Sequence, residues 1–445
     1  MEKTSLERII SQLTNFLIVE TTPPSNNFRR DRTAFHYYTE IIRYWSKLNF
    51  VLNYTTRALN LKDGLRPSIK SEYLFIIYRY YWEDASLKDL ITDLKPLRSM
   101  ERKLLKAHQI KNFFNKLQTF SWNKAFSNKS KLEKLSIDQA IPSFFIKKLL
   151  PYMSEDFLIK NIEAMNNYEK METSITPITA KSSSGVNLGD IVVEYLENAN
   201  IPFKKDSKIH SLIHIHVKYI SSILKSDFYK NGQLLILDKG SVYIANLLLE
   251  RTRGRLLDMC GAPGIKTLYL ADNLENRNRL IAADFNLERV MEMKELLSFY
   301  DFSRISILNT DGIDFPVREE NYFNKILLDA PCTGSGTFSS NPELKWRQNS
   351  SFLHQNVILQ EKLLKSAIEM LKPKGTLIYS SCSLYAQEGE MQIQKFLDEL
   401  DPIILPDIFS PSYKLKGRSI PGTGRLFPAD NNSKGFFVGK FKKKA

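Results

Sequence analysis

The sequence predicts a doubly wound α/β domain, preceded by a small α+β module and an N-terminal all-helical domain. Three observations predict it. From Leu234 onward short apolar runs alternate with helical stretches, the sequence form of a mostly parallel sheet covered by helices. Before about Ile141 the apolar residues recur with helical spacing instead. Polar residues also close one apolar run after another, and open α/β sheets bind their ligands at those carboxyl ends.

A chain of 445 residues exceeds one compact core, so two or three domains are expected. Hydrophobic residues at 43% and charged residues at 25% exclude wholesale disorder and a fibrous class. The formal charge of +14 leaves two readings open, a polyanionic partner or a generally basic surface. The opening residues lack the blocks of a secretory signal, and no stretch is apolar enough to span a bilayer, so a cytoplasmic protein without membrane contact is expected. Its three cysteines, Cys260, Cys332 and Cys382, are too few for a disulfide framework and read as free thiols. Nothing points to an obligate partner chain, and a monomer is expected.

Each element follows in order. In residues 1–135 the set Leu74, Ile77, Tyr78 and Tyr81 marks one helix face from Glu72 to Trp82, and Thr39 to Leu52 reads as a similar helix. The many aromatics here read as core. Between Glu101 and Lys134 stand nine basic residues, Arg102, Lys103, Lys106, Lys111, Lys116, Lys124, Lys129, Lys131 and Lys134, against two acids. They form either a solvated face or a phosphate-facing one. Residues 140–232 are mixed, with a loop from Lys181 to Gly185, a helix from Asp190 to Asn198 and a strand within Ser211 to Val217. His210, His214 and His216 lie close together, but no cysteine completes a zinc set, so no metal is expected. In residues 233–445, strands are predicted at Arg255–Met259, Arg279–Ala283, Arg304–Leu308, Lys325–Leu328 and Thr376–Tyr379, with helices at Leu287–Tyr300 and Asn356–Leu371.

The first of these strands runs into Asp258-Met-Cys-Gly-Ala-Pro-Gly264, and the next three end near Asp284, Asp311 and Asp329. Gly261 and Gly264 would let a ligand approach the backbone. No pyrophosphate-binding G-x-G-x-x-G is present, and four carboxylates on one sheet edge would repel a phosphate. They suit a cofactor with a positive centre and hydroxyl and amino donors, as S-adenosylmethionine has. Cys332 and Cys382 fall in Pro/Gly/Ser-rich turns past two further strand ends, where reactive groups are expected rather than core thiols.

Three segments carry a resemblance. Asp258-Met-Cys-Gly-Ala-Pro-Gly-Ile-Lys-Thr267 is similar to D-x-C-A-A-P-G-G-K-T, Asp329 to Gly336 to D-A-P-C-S-G-x-G, and Tyr379 to Ser383 to Y-S-T-C-S. In that order they resemble the Fmu/Sun/nucleolar-protein family of RNA cytosine-5 methyltransferases. Pro342 to Arg347, Arg425 to Pro428 and Gly435 to Phe437 are softer matches. The resemblance implies a Rossmann-like class I methyltransferase domain. It implies that Cys382 is the nucleophile and Cys332 assists product release, the reverse of DNA cytosine methyltransferases. It also implies cofactor contacts from Cys260, Gly261, Ala262, Pro263, Gly264, Ile265, Lys266, Asp284, Asp311 and Asp329.

Cytosine carbon 5 is a poor nucleophile until a thiolate adds to carbon 6, which explains the need for a cysteine. Positive charge beside the thiol favours the thiolate, a contribution assigned to Lys266. An acid at ring N3 stabilises charge developing on the pyrimidine, a role assigned to Asp329. Three departures touch the pattern: Gly261 replaces alanine, Ile265 replaces the second glycine, and Ala386-Gln-Glu388-Gly-Glu390 stands where P-x-E-N-E is frequent. Ile141 to His216 resembles the family's small RNA-binding module, and the first 130 or so residues resemble a NusB-type domain. With that, the basic run and the terminal lysines Lys440, Lys442, Lys443 and Lys444 would grip RNA phosphates, ribosomal RNA first and transfer RNA second. An RNA-binding ribosome-assembly factor with little turnover is the alternative.

Overall fold

The computed structural model describes residues 3–19, 24–59, 65–95, 105–167, 171–179, 187–250, 254–275, 277–300, 303–317 and 322–445. The predicted loop from Lys181 to Gly185 and the residues Glu101, Arg102 and Lys103 lie outside them. By internal contacts the chain forms two units, Met1–Lys148 with Ser340–Asn349, and Leu149–Ser339 with Ser350–Ala445.

The first unit is helical among its described residues. At its centre the helix Pro67–Glu83 buries eight consecutive residues, Ser71 to Tyr78, so it is packed on every side rather than along one stripe. Pro67 starts this helix with a pre-set φ, and Asp84 ends it in the left-handed region. Leu6, Ile9, Leu13, Ile41, Leu48 and Phe113 complete the core around it.

The expected continuous helix from Thr39 to Leu52 is in fact two, Arg32–Arg43 and Trp45–Ala58, broken at Tyr44. The cause lies far away in sequence. At the break the carbonyls of Ile42 and Arg43 accept from Trp346 Nε1 at 2.8 Å and Lys345 Nζ at 3.0 Å. The segment Ser340–Asn349 thus supplies donors that a helix ladder would otherwise provide. Within the basic run, Lys106, Lys111, Lys124, Lys131 and Lys134 are exposed, and Lys129 pairs with Glu133 at 2.9 Å.

The second unit holds two sheets. Strands β1 (Glu172–Pro177), β2 (Phe203–Lys205), β3 (Ile213–His216) and β4 (Leu234–Leu237) form a small antiparallel sheet in the order β2-β3-β1-β4. Helix Leu188–Asn198 packs Leu188, Val192 and Leu196 against Ile175, Ile213 and Ile215 of this sheet. The chain therefore stays in the small sheet through Leu237, a few residues beyond the expected boundary at 232. His214 is hydrogen-bonded at both nitrogens, to Asp206 at 2.8 Å and Ser174 at 2.9 Å, and His216 accepts from the amide of Lys218.

The large sheet contains β5 (Arg255–Asp258), β6 (Arg279–Asp284), β7 (Ile305–Asn309), β8 (Phe323–Asp329), β9 (Leu371–Ser381), β10 (Leu400–Pro402), β11 (Ser410–Pro411), β12 (Thr423–Leu426) and β13 (Phe436–Lys443). Its order is β11-β12-β13-β9-β8-β5-β6-β7, with β10 beside β13. The five strands from β9 to β7 are mutually parallel, and β13 joins β9 antiparallel. Ile326, Leu327 and Leu328 of β8 are wholly buried, as central strands covered on both faces must be. This is the Rossmann-like arrangement the alternation predicts. The chain winds outward from β5 to β7, then returns to β8, so the topological switch lies between β5 and β8. Among the described residues no helix is long and apolar enough to cross a membrane.

Candidate active site

At the end of β5 the backbone turns sharply, because Gly261 N donates to Ala283 O of β6 at 2.9 Å and Gly264 N donates to Gly261 O at 2.9 Å. Gly264, at φ +100°, begins helix Ile265–Asn273, and a Cβ there would meet Met293 Cγ at 2.7 Å. Gly261 has no room for a side chain either. A Cβ would come within 2.9 Å of both Asp258 Oδ2 and Thr267 Oγ1.

Three carboxylates border this turn. Asp258 accepts from Thr267 Oγ1 at 2.8 Å, while its Oδ1 is buried without a partner among the described residues. Asp284 accepts from Asn286 N at 3.0 Å and Ala262 N at 3.3 Å. Arg289, a residue the sequence reading did not single out, bonds Ala262 O and lies 3.7 Å from Asp284. Asp329, at the end of β8, holds Ser380 Oγ at 2.6 Å on one oxygen and the Lys266 ammonium on the other. Asp311 follows β7, is exposed, and accepts from Ile313 N in its own turn. Neighbouring Gly312 packs on Met259, which keeps that turn beside the loop.

Burial raises the Asp258 carboxyl to about 6. Burial, and then Asp284, Asp258 and Asp329, push the Cys260 thiol far up, so Cys260 stands neutral among acids. For Lys266, burial alone would lower the ammonium's pKa. Asp329 more than reverses this and keeps Lys266 charged, with Cys382 contributing in the same direction.

The remaining two cysteines meet at the other side of the switch. Cys332 Sγ and Cys382 Sγ are 3.1 Å apart, both half-buried free thiols. The contact with Cys382 and burial hold the Cys332 thiol well above its ordinary range. Gly336 N donates to Cys382 O at 3.0 Å, which ties the two cysteine loops together. At Gly336 an added Cβ would lie 2.2 Å from Gly435 O, so only glycine permits this approach.

Behind the thiols, the turn that departs from P-x-E-N-E is strongly braced. Glu390 pairs with Arg425, and Arg425 Nη1 donates to Ser383 O at 3.0 Å. Glu388 accepts from Thr333 N at 2.9 Å and Gln360 Nε2 at 3.0 Å. Gln360 did not stand out in the sequence, since it acts only through partners distant along the chain, and Ser380 stood within a singled-out segment without a role of its own.

At the sheet edge, then, a loop closed by two glycines lies beside a charged Lys266–Asp329 pair and two thiols in contact. Residues 245–442 match the family described as 16S rRNA methyltransferase RsmB/F. The chain is 31% identical over 227 residues to the human 28S rRNA (cytosine(4447)-C(5))-methyltransferase, covering 48% of this chain and 28% of that protein. It is 30% identical over 219 residues to ribosomal RNA small subunit methyltransferase F of Pectobacterium atrosepticum, covering 48% of this chain and 45% of that one. The match thus spans less than half the length of either relative. The crystal structure of PH0851 aligns with 100% of this chain and 99% of its own, at a TM-score of 0.78 and 22% identity, which shows a shared fold. Residues 245–442, the part of the chain that carries these motifs, are thus similar to the family described as 16S rRNA methyltransferase RsmB/F.

Proposed function

We propose that this protein is an S-adenosylmethionine-dependent RNA methyltransferase that methylates carbon 5 of a cytosine through a covalent bond to Cys382. The observation that carries this reading is the pair of thiols 3.1 Å apart at the sheet's switch edge, one of them beside the Lys266–Asp329 pair.

The residues present suit the cofactor. The unpartnered, buried Asp258 Oδ1 is an acceptor that calls for a donor. S-adenosylmethionine, held by Cys260 to Lys266 with Asp284, Asp311 and Asp329, would supply an electrophilic methyl group. Cys382 adds as thiolate to carbon 6 and makes carbon 5 nucleophilic. The charge of Lys266 favours that thiolate. Asp329, oriented by Lys266 and Ser380, is the acid assigned to ring N3, where it would stabilise the developing charge by presenting a proton to it. Once carbon 5 has been alkylated, its proton must leave to a base such as solvent water, the carbon 6–sulfur bond breaks, and Cys382 leaves as thiolate, with the Cys332 thiol beside it assisting that release.

Ribosomal RNA is the favoured substrate, supported by the names of the relatives, with transfer RNA second. A cytoplasmic place of action and a monomeric enzyme go with that reading. Within RNA the target is an unpaired cytosine turned out of its stack, because stacking hides carbon 6. The exposed lysines from Lys106 to Lys134 suit contact with the phosphates. The deciding experiment incubates the protein with RNA containing 5-azacytidine and looks for a covalent complex. A Cys382→Ala variant should form none and methylate nothing; methylation that survives in this variant would overturn the assignment.

A further inference from the structure

Glu388 touches both cysteine-bearing elements, each with a different part of itself. Its backbone carbonyl accepts from Tyr379 OH at 2.8 Å and Ser381 Oγ at 3.0 Å, both on β9, the strand that leads into Cys382. Its carboxylate reaches across to the loop of Cys332. There it accepts from the amide of Thr333 at 2.9 Å and from the Thr333 hydroxyl. Gln360, on helix Ser350–Met370, closes the network by donating to Glu388 at 3.0 Å and to Pro331 O at 2.8 Å. Glu388 and Gln360 are both wholly buried.

The Thr333 amide and Gln360 donate to one carboxylate oxygen and the Thr333 hydroxyl to the other, so an acid accepts all three, whereas an amide would keep the third contact only with the hydroxyl turned to accept. Residues 331 and 333, the neighbours of Cys332 on either side, are both held by this network. Few groups could fix the Cys332 sulfur more directly without touching it. Burial raises the carboxyl above its ordinary range, and the bonds from Ser383 and Thr333 offset only part of this.

We propose that Glu388 is the positioning residue that sets Cys332 against Cys382, and that the release step, rather than the attack, depends on it. This rests on the reading of Cys382 as nucleophile and Cys332 as the residue that lets product go. The attacking sulfur comes directly after Ser381, the last residue of β9, whose backbone is held by pairing with Phe437 of β13. The release sulfur sits on a loop, and the loop depends on the clamp.

The test is Glu388→Gln, measured in two assays. With 5-azacytidine RNA, where only attack by Cys382 is needed, the covalent complex should form as in the parent protein. With ordinary cytidine RNA, kcat should fall on the order of 100-fold, as for a catalytic group displaced by about 1 Å, with KM for RNA unchanged and a covalent complex accumulating. An unchanged kcat would overturn the proposal. So would parallel loss of both activities, the sign of a merely structural role. Should the variant fail to fold, Thr333→Val removes one donor to the carboxylate, and the same two outcomes decide. If the unaltered protein forms no complex with 5-azacytidine RNA, the proposed function itself fails, independently of Glu388.

Discussion

Arg425 and Glu390 face each other in a two-armed ion pair sealed from water. Nε and Nη2 of the arginine reach the two carboxylate oxygens at 2.8 and 2.6 Å, and both side chains are 0% exposed. Arg425 also lies 3.9 Å over the ring of Tyr413 and holds the carbonyl of Ser383, the residue after Cys382. Removal of one partner leaves a bare charge in the interior. Arg425→Met should therefore destabilise the protein by about 3–5 kcal/mol, while Arg425→Met with Glu390→Gln should cost less than the single change. Urea melts of the two variants check this; a single variant as stable as the parent would contradict it.

The contact between Cys332 and Cys382 makes a second expectation specific. Cys332→Ala removes the sulfur 3.1 Å from the attacking one without touching β9. A covalent enzyme–RNA complex should then persist on ordinary cytidine RNA and be visible in denaturing gels. Addition of Cys382→Ala to the same protein should abolish it. Normal turnover by the single variant would remove Cys332 from the release step.

Asp258 makes stability depend on pH. Burial raises its carboxyl from 3.8 to about 6 in the folded protein. Between these values the folded state binds more protons than the unfolded one, so this contribution is complete below 3.8 and is lost as pH rises through about 6. A shift of this size corresponds to about 3 kcal/mol. Asp258→Asn should flatten the stability profile between pH 4 and 6, and weaken binding of S-adenosylmethionine by exchanging one of the two acceptor oxygens for a donor. Thermal melts across that pH range, with and without cofactor, are the measurement; a profile as steep as the parent's would contradict the assignment.

Parallel strands were legible as short apolar runs, the central ones buried on both faces, as β8 shows with Ile326, Leu327 and Leu328, while the edge strand β7 is only half-buried. Asp258, Asp284 and Asp329 were legible as a group because a parallel sheet carries the residues after every strand to one edge. The break at Tyr44 was not legible, since residues 39–52 hold a helical pattern throughout and the interrupting donors come from Lys345 and Trp346. Glu388 could be noticed as an acid near Cys382, but not as the partner of Thr333. That pairing follows from strand order, which places β8 beside β9.

The sequence by itself determined which chemical groups this protein has and which layer each belongs to, because local periodicity and glycine, proline and cysteine placement act over a few residues. Only the tertiary structure decided how far apart the thiols stand, which acid keeps an empty acceptor and which acid clamps the release loop. Those are relations between residues tens of positions apart. They are set by strand order and by the requirement that buried polar groups find partners, and no single segment of the chain contains that information.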